Sequence, residues 1–187
     1  MPNWSGRKIL KYIRQGHQDT YEAVVRKNYK AIYRFLSYLT RDANLAEDLT
    51  QETFVSALGS IKQYKGVSSI ETWLHRIAYH KFIDSKRQAE RQSNLNKKIK
   101  EEAESKQQNS DPLYCLMTDE YFGCIYKAID MLQRQEYLVI VMHYIQGLNY
   151  RQMSKILDEP VGTIKWRTSK ALRKLKSFLS DKVEYGI

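Results

Sequence analysis

Apolar positions recur every three or four residues through most of this chain. Tyr21, Val24, Val25, Tyr29, Ile32, Phe35, Leu36 and Leu39 fall at helical spacing, and Asp19 or Thr20 can cap the start of that helix. Asn44 followed three residues later by Glu47 has the spacing of a capping box and predicts a second helix to about Ser60. A loop, IKQYKGVSS, comes next. Ser68 and Glu71 offer another capping box, which predicts a helix through ETWLHRIAYHKFIDSKR. Further on, helices are expected near 113–131, 134–146, 149–158 and 161–180. No segment alternates apolar and polar residues as a strand would, and no segment repeats another.

One stretch breaks the pattern. Between Gln88 and Pro112 the apolar residues are Ala89, Leu95, Ile99 and Ala103, too few to bury against anything. It reads as a flexible linker, with its first part open to being an exposed continuation of the preceding helix. The expected fold is therefore all-α. Two small helical domains, 1–87 and 113–187, flank a linker over 88–112.

The second domain carries the more specific signal. Tyr150, Met153, Ile156 and Leu157 make the apolar face of a short helix, which Asp158–Glu159–Pro160 ends because proline cannot continue the hydrogen-bond ladder. The next helix buries Val161, Ile164, Thr168, Ala171, Leu172, Leu175 and Leu179. A short helix, a tight turn and a second helix with a basic outer face form a helix-turn-helix. At about 100° per residue, Trp166 points almost directly away from Ile164 and is surrounded by Thr163, Ser169, Lys170 and Arg173. That indole is not a core residue of its helix.

Charge sharpens the picture. Lys and Arg outnumber Asp and Glu by 31 to 21, a net charge of +10, which suits nucleic acid or another anionic surface. Against this background RDANLAEDLTQETF is unusual. Glu47 and Gln51, with Asp48 and Glu52, make one acidic stripe; Leu45 and Leu49 face roughly the other way, and Phe54 and Leu58 lie beside it. Phosphates would be repelled there, whereas a basic protein would be attracted. A solvated helix face is the plainer alternative. The helix-turn-helix by itself also suits a dimeric repressor or activator reading a palindrome, with 1–87 as a dimerisation or sensor domain. An interaction protein without DNA function is a third reading.

Other chemistry finds little support. Cys115 and Cys124 lie nine residues apart in expected helix, too far to bridge, and read as buried thiols. His17, His75, His80 and His143 lack metal-ligand spacing, and no phosphate loop, paired carboxylates or nucleophile elbow is present. No enzyme, metal, cofactor or small-molecule substrate is expected. The N-terminus lacks a signal-peptide core and no apolar run approaches the roughly 20 residues of a membrane span, so a cytoplasmic protein is expected.

Taken together, three blocks resemble the extracytoplasmic-function group of bacterial RNA polymerase sigma factors. AEDLTQETF (46–54) looks like that family's polymerase-binding helix. YKGVSSIETWLHRIAYHKFIDSKR (64–87) looks like its promoter-melting segment, and PVGTIKWRTSKAL (160–172) like its second helix-turn-helix. The resemblance implies that Glu47, Asp48, Gln51, Glu52 and Phe54 dock on the coiled coil of the core polymerase clamp. It implies that Tyr64, Lys65, Gly66, Ser68 and Ser69 build a pocket for a flipped non-template base of the −10 element, Tyr64 offering an aromatic face. Arg76, His80, Lys81, Lys86 and Arg87 would hold nearby DNA; Trp73 and Ile77 read chiefly as core. Gly162, Thr163, Lys165, Trp166, Arg167, Ser169 and Lys170 would read the −35 element. Two departures stand out: His80 where the family commonly has Asn, and Trp166 where it usually has Ser. The resemblance also implies promoter DNA and an anti-sigma protein as partners, the latter able to hold the chain at the membrane, and a monomer when free.

Overall fold

The computed structural model describes residues 18–97 and 128–183. The chain divides into two compact units, one within 1–110 and one within 111–187. Among the described residues every regular element is helical. Cys115 and Cys124, the N-terminal segment to His17 and most of the helix expected over 113–131 lie outside them; residues 128–130 are helical.

The first unit comprises α1 (Gln18–Thr40), α2 (Ala43–Ser60), a 3-10 turn (Ile61–Gln63) and α3 (Ile70–Lys97). Each of the three helices packs on the other two. Ile32, Phe35, Leu36, Ala46, Ala57, Leu74 and Ala78 are fully buried, and each large apolar side chain so placed contributes roughly 1.5–3 kcal/mol. Phe35 meets His75 at 5.2 Å between ring centroids, and the His75 Nδ1 lies 2.8 Å from the Glu71 carbonyl. The stripe of α2 that faces this core is Ala46, Leu49, Thr50, Thr53, Phe54 and Ala57. Its two threonines are tolerated because each hydroxyl donates back along the helix, to Ala46 O and Leu49 O, both at 2.6 Å.

Helix α3 runs on through Lys97, so residues 88–97 of the expected linker are helical. The side chains of residues 88–93 are exposed. This stretch lacks an apolar face but also lacks Gly or Pro, and nothing in it stops a helix already propagating from Ile70. Residues 98–112 lie outside the described part.

The second unit holds α4 (Arg134–Ile140), a π turn (Val141–Ile145), α5 (Tyr150–Leu157) and α6 (Val161–Val183). Where one helix over 134–146 is expected, the last turn widens: Gln146 N–H bonds to Val141 O at 3.0 Å, and Leu148 N–H to Met142 O at 2.9 Å. Gly147, at φ +68°, makes that reversal possible. Helix α4 and helix α5 both pack on α6, burying Val139, Met142, Met153, Ile156, Ile164 and Ala171. No helix among the described residues is long and apolar enough to cross a membrane, and no cluster of His, Cys, Asp or Glu there could hold a metal ion.

Candidate nucleic-acid and protein-binding surfaces

Helix α2 follows α1 almost without a loop. Arg41 takes a left-handed conformation, φ 56°, and Asp42 then caps α2, its Oδ1 accepting from Asn44 N at 3.0 Å and Leu45 N at 3.1 Å. The capping box expected at Asn44 and Glu47 is thus displaced by an acid two residues earlier, whose side chain reaches the same free amides. This leaves Glu47 unused by the cap. Glu47, Asp48, Gln51 and Glu52 are all exposed, and Val55 and Leu58 extend the ridge as exposed apolar residues. Two details correct the expectation. Phe54 is only 6 % exposed; its ring stacks on Tyr29 at 6.0 Å, so it supports the ridge from beneath. Glu52 is paired with Lys81 of α3 at 3.2 Å, so its charge is partly neutralised within the unit.

The loop after α2 is folded onto itself. Tyr64, expected as the aromatic face of a base pocket, is 4 % exposed. Its ring stacks on Trp73 at 4.9 Å and its hydroxyl donates to the Ser68 carbonyl. Burial, and then the negative charge of Glu71, push its phenol above the ordinary value, so it stays a neutral donor. Tyr64 therefore shapes the loop and does not present a face to a ligand. Gly66, at φ 69°, makes the reversal. Lys65 and Ser69 are exposed, Gly66 and Ser68 half-buried, and Val67 at the tip is 76 % exposed. Ser69, not Ser68, caps α3: its Oγ accepts from Thr72 N at 3.2 Å. Glu71 instead pairs with Lys27 of α1 at 3.2 Å. Burial raises the Glu71 pKa, but its own backbone amide, Lys27 and the Ser69 hydroxyl outweigh that and leave it lowered.

Along α3, Arg76, His80 and Arg87 are exposed, and their spacing places them near one side of the helix. Lys81 sits beside them, engaged by Glu52. Arg87 lies 3.7 Å from Asp84. Trp73 and Ile77 are half-buried, Trp73 packing against Ile61 and Tyr64.

The helix-turn-helix is built from α5 and α6. Asn149 opens α5 with a reciprocal box: Asn149 Oδ1 accepts from Gln152 N at 3.0 Å and Gln152 Oε1 from Asn149 N at 2.9 Å. Asp158 closes it in a left-handed conformation, φ 59°, and Ser154 Oγ donates to Glu159 O at 2.6 Å. Helix α6 starts at once, Ile164 N–H bonding to Pro160 O at 3.2 Å. Arg167 then reaches back to Glu159 at 2.8 Å with its side chain 11 % exposed. It clamps the turn and is not available as a reader of DNA, which corrects its expected role.

The outer face of α6 carries the remaining candidates. Gly162, Lys165, Ser169 and Arg173 are exposed and Thr163 is half-buried. Trp166 is 58 % exposed. Leu172, expected in the buried stripe, is also exposed. The Lys165 ammonium lies 5.9 Å from the Tyr150 ring centroid, and Tyr150 stacks on His143 at 4.7 Å. The Lys170 ammonium lies 5.2 Å from the Trp166 ring centroid and 3.5 Å from Glu136 Oε1. Glu136 also takes Lys174 at 2.8 Å and the Gln133 N–H at 3.2 Å. Burial raises its pKa, but Lys174, the Gln133 amide and Lys170 outweigh it and leave the carboxyl below its ordinary value.

Sequence reasoning missed Val55, Val67 and Glu136. Val55 continues the Gln51 and Glu52 stripe at three- and four-residue spacing and could have been found that way. Glu136 gave no such signal, because its partners sit on another helix 34 and 38 residues away.

Comparison with known proteins places both units. A Sigma-70 region 2 family model matches residues 24–92, and a Sigma-70 region 4 model matches residues 122–175. The chain is 30 % identical over 171 residues to the ECF RNA polymerase sigma factor SigX of Bacillus subtilis (strain 168), covering 89 % of this chain and 88 % of the relative. It is 27 % identical to the RNA polymerase sigma factor YlaC of the same organism, over 90 % of this chain and 96 % of the relative. Among solved structures it is similar in fold to the sigma factor RpoE of Bartonella quintana, crystallised with the anti-sigma factor NepR. The TM-score there is 0.66 at 23 % identity, over 86 % of this chain and 96 % of that one. An acidic ridge on the first unit and a basic helix-turn-helix on the second thus sit within the matched regions, and the chain belongs to the extracytoplasmic-function group of sigma-70 RNA polymerase sigma factors.

Proposed function

We propose that this sigma factor binds core RNA polymerase through the α2 ridge and directs it to promoters read at two places. Glu47, Asp48 and Gln51, with Val55 and Leu58, dock a basic coiled coil of the polymerase. Helix α6 enters the major groove at the −35 element. Lys165, Trp166 and Ser169 face the bases or sugars there, Lys170 lies against the Trp166 ring beside them, and the helix start at Gly162–Thr163 offers amide donors to a phosphate. In the first unit, Arg76, His80, Lys86 and Arg87 hold the −10 DNA. One unstacked non-template base lodges against Lys65, Gly66, Ser68 and Ser69, with Val67 as an apolar tip beside it. Unstacking costs a few kcal/mol, which polar contacts to the correct base offset. The polymerase performs the chemistry; this chain supplies position and strand separation, in the cytoplasm where the polymerase works.

The observation that carries this reading is the opposition of surfaces: an exposed acid-and-apolar ridge on one unit and an exposed basic face with an indole on the other. A protein partner fits the first and DNA the second. An anti-sigma protein is the expected inhibitor, in keeping with the NepR complex of the similar RpoE.

The test is the double charge reversal Glu47→Lys, Asp48→Lys. Like charges set against a basic partner should weaken co-migration with core polymerase by about tenfold or more and abolish run-off transcription. Undiminished recruitment would end the proposal.

A further inference from the structure

Glu136 lies in α4, which packs on α6, and is 3 % exposed. Its Oε1 holds the Lys170 ammonium at 3.5 Å, and the same ammonium lies 5.2 Å from the ring centroid of Trp166. A buried carboxylate, a half-buried ammonium and an exposed indole therefore form one line from the core of the unit to its outer face. The carboxylate is itself fixed, because its other oxygen accepts from Lys174 Nζ at 2.8 Å and from Gln133 N at 3.2 Å. An indole on an exposed helix face would otherwise sample several rotamers.

We propose that Glu136 is a positioning residue for promoter discrimination: through Lys170 it fixes the indole of Trp166 in the orientation that meets the −35 bases. This rests on the reading that the outer face of α6 contacts the −35 element. The pair also removes a cation from general phosphate binding, since an ammonium shared between a carboxylate and a ring is less free to seek DNA phosphates. Glu136 thus trades non-specific affinity for selectivity.

The experiment uses the full chain reconstituted with core polymerase. Relative occupancy is measured on a pool of promoters randomised at −35 and on random duplex, at several salt concentrations. Glu136→Gln and Lys170→Gln should each flatten the preference at the Trp166 base by roughly two- to fivefold, the strength of an exposed cation–π contact. Glu136→Gln should also steepen the salt dependence by about one phosphate contact, as Lys170 is released. Lys174→Gln is the control: it breaks the closer ion pair with Glu136, while the Gln133 N–H still holds the carboxylate and the Lys170–Trp166 pair stays in place. It should lower the melting temperature and leave the base preference intact. Any phosphate binding that Lys170 supplies acts on all sequences alike, so the ratio between sequences isolates the indole. If Lys174→Gln flattens the preference as much as Lys170→Gln, the cluster is merely structural and the inference falls. It falls too if Lys170→Gln changes no preference. Should Glu136→Gln fail to fold, the comparison of the two lysine variants decides. Trp166→Ser separates the levels: no change in −35 preference would sink the −35 reading itself, whereas a change with Lys170→Gln inert would sink only the positioning role.

Discussion

Glu71 and Glu136 both titrate below the ordinary carboxylate value of 4.5, despite the burial that opposes it, because lysines and amides hold their charged forms. A depressed folded-state pKa contributes stability above the unfolded value, and that contribution is lost as pH falls through the folded one. The second unit should therefore weaken as the pH falls through about 4.5, where Glu136 is half protonated in the unfolded chain but still charged in the folded one. In Glu136→Gln the acid limb of a melting-temperature profile should be shallower than in the parent; identical limbs would mean that Glu136 contributes nothing to the pH response. Individual side chains are unevenly legible from sequence. The exposure of Trp166 follows from helical spacing alone. Arg167 lies about 60° from Ile164 on the same wheel, at the border of the buried stripe. Only its partner Glu159, placed by the left-handed Asp158, decides that it faces inward. Tyr64 turns inward for a comparable reason: Trp73, on the following helix, offers it a stacking surface.

Helix ends are the least legible elements. Any Asx or Ser side chain near the correct spacing competes for the same free amides, and the winner depends on the path by which the chain arrives. Asp42 and Ser69 win over Asn44 and Ser68 on that ground. The buried stripe of α2 is obscured differently. Ala46, Leu49, Thr50, Thr53, Phe54 and Ala57 recur at ideal spacing, yet the two threonines look polar, and so the pattern sets Phe54 outside the core. The π turn after α4 depends on Gly147, whose added Cβ would meet nothing within 4 Å. Gly147→Ala thus tests backbone conformation alone. At φ +68° it should cost about 1–2 kcal/mol, read as a lower denaturant midpoint with unchanged slope. A neutral result would show that the turn relaxes to another path.

Across the whole chain, the net charge of +10 is unevenly spread: the α2 ridge is acidic while α6 is basic outside. The all-α class and the order of its helices are readable because helix periodicity is local. Which side chains pair between helices is not, since it depends on crossings that no single segment encodes. Charge on α6 should act uniformly on DNA. Arg173 is exposed on that face, and Arg173→Gln should weaken holoenzyme binding alike on all promoters and reduce the salt slope by about 0.9. A loss confined to certain −35 sequences would instead assign Arg173 to base reading. The Glu52–Lys81 bridge has a different kind of reach, because it joins α2, proposed to dock on polymerase, to α3, proposed to lie along the −10 DNA. Any ligand that claims the carboxylate hands back the ammonium, and any ligand that claims the ammonium hands back the carboxylate. Each arrival must then favour the other by the same factor, and an exposed bridge limits that mutual help to about fivefold.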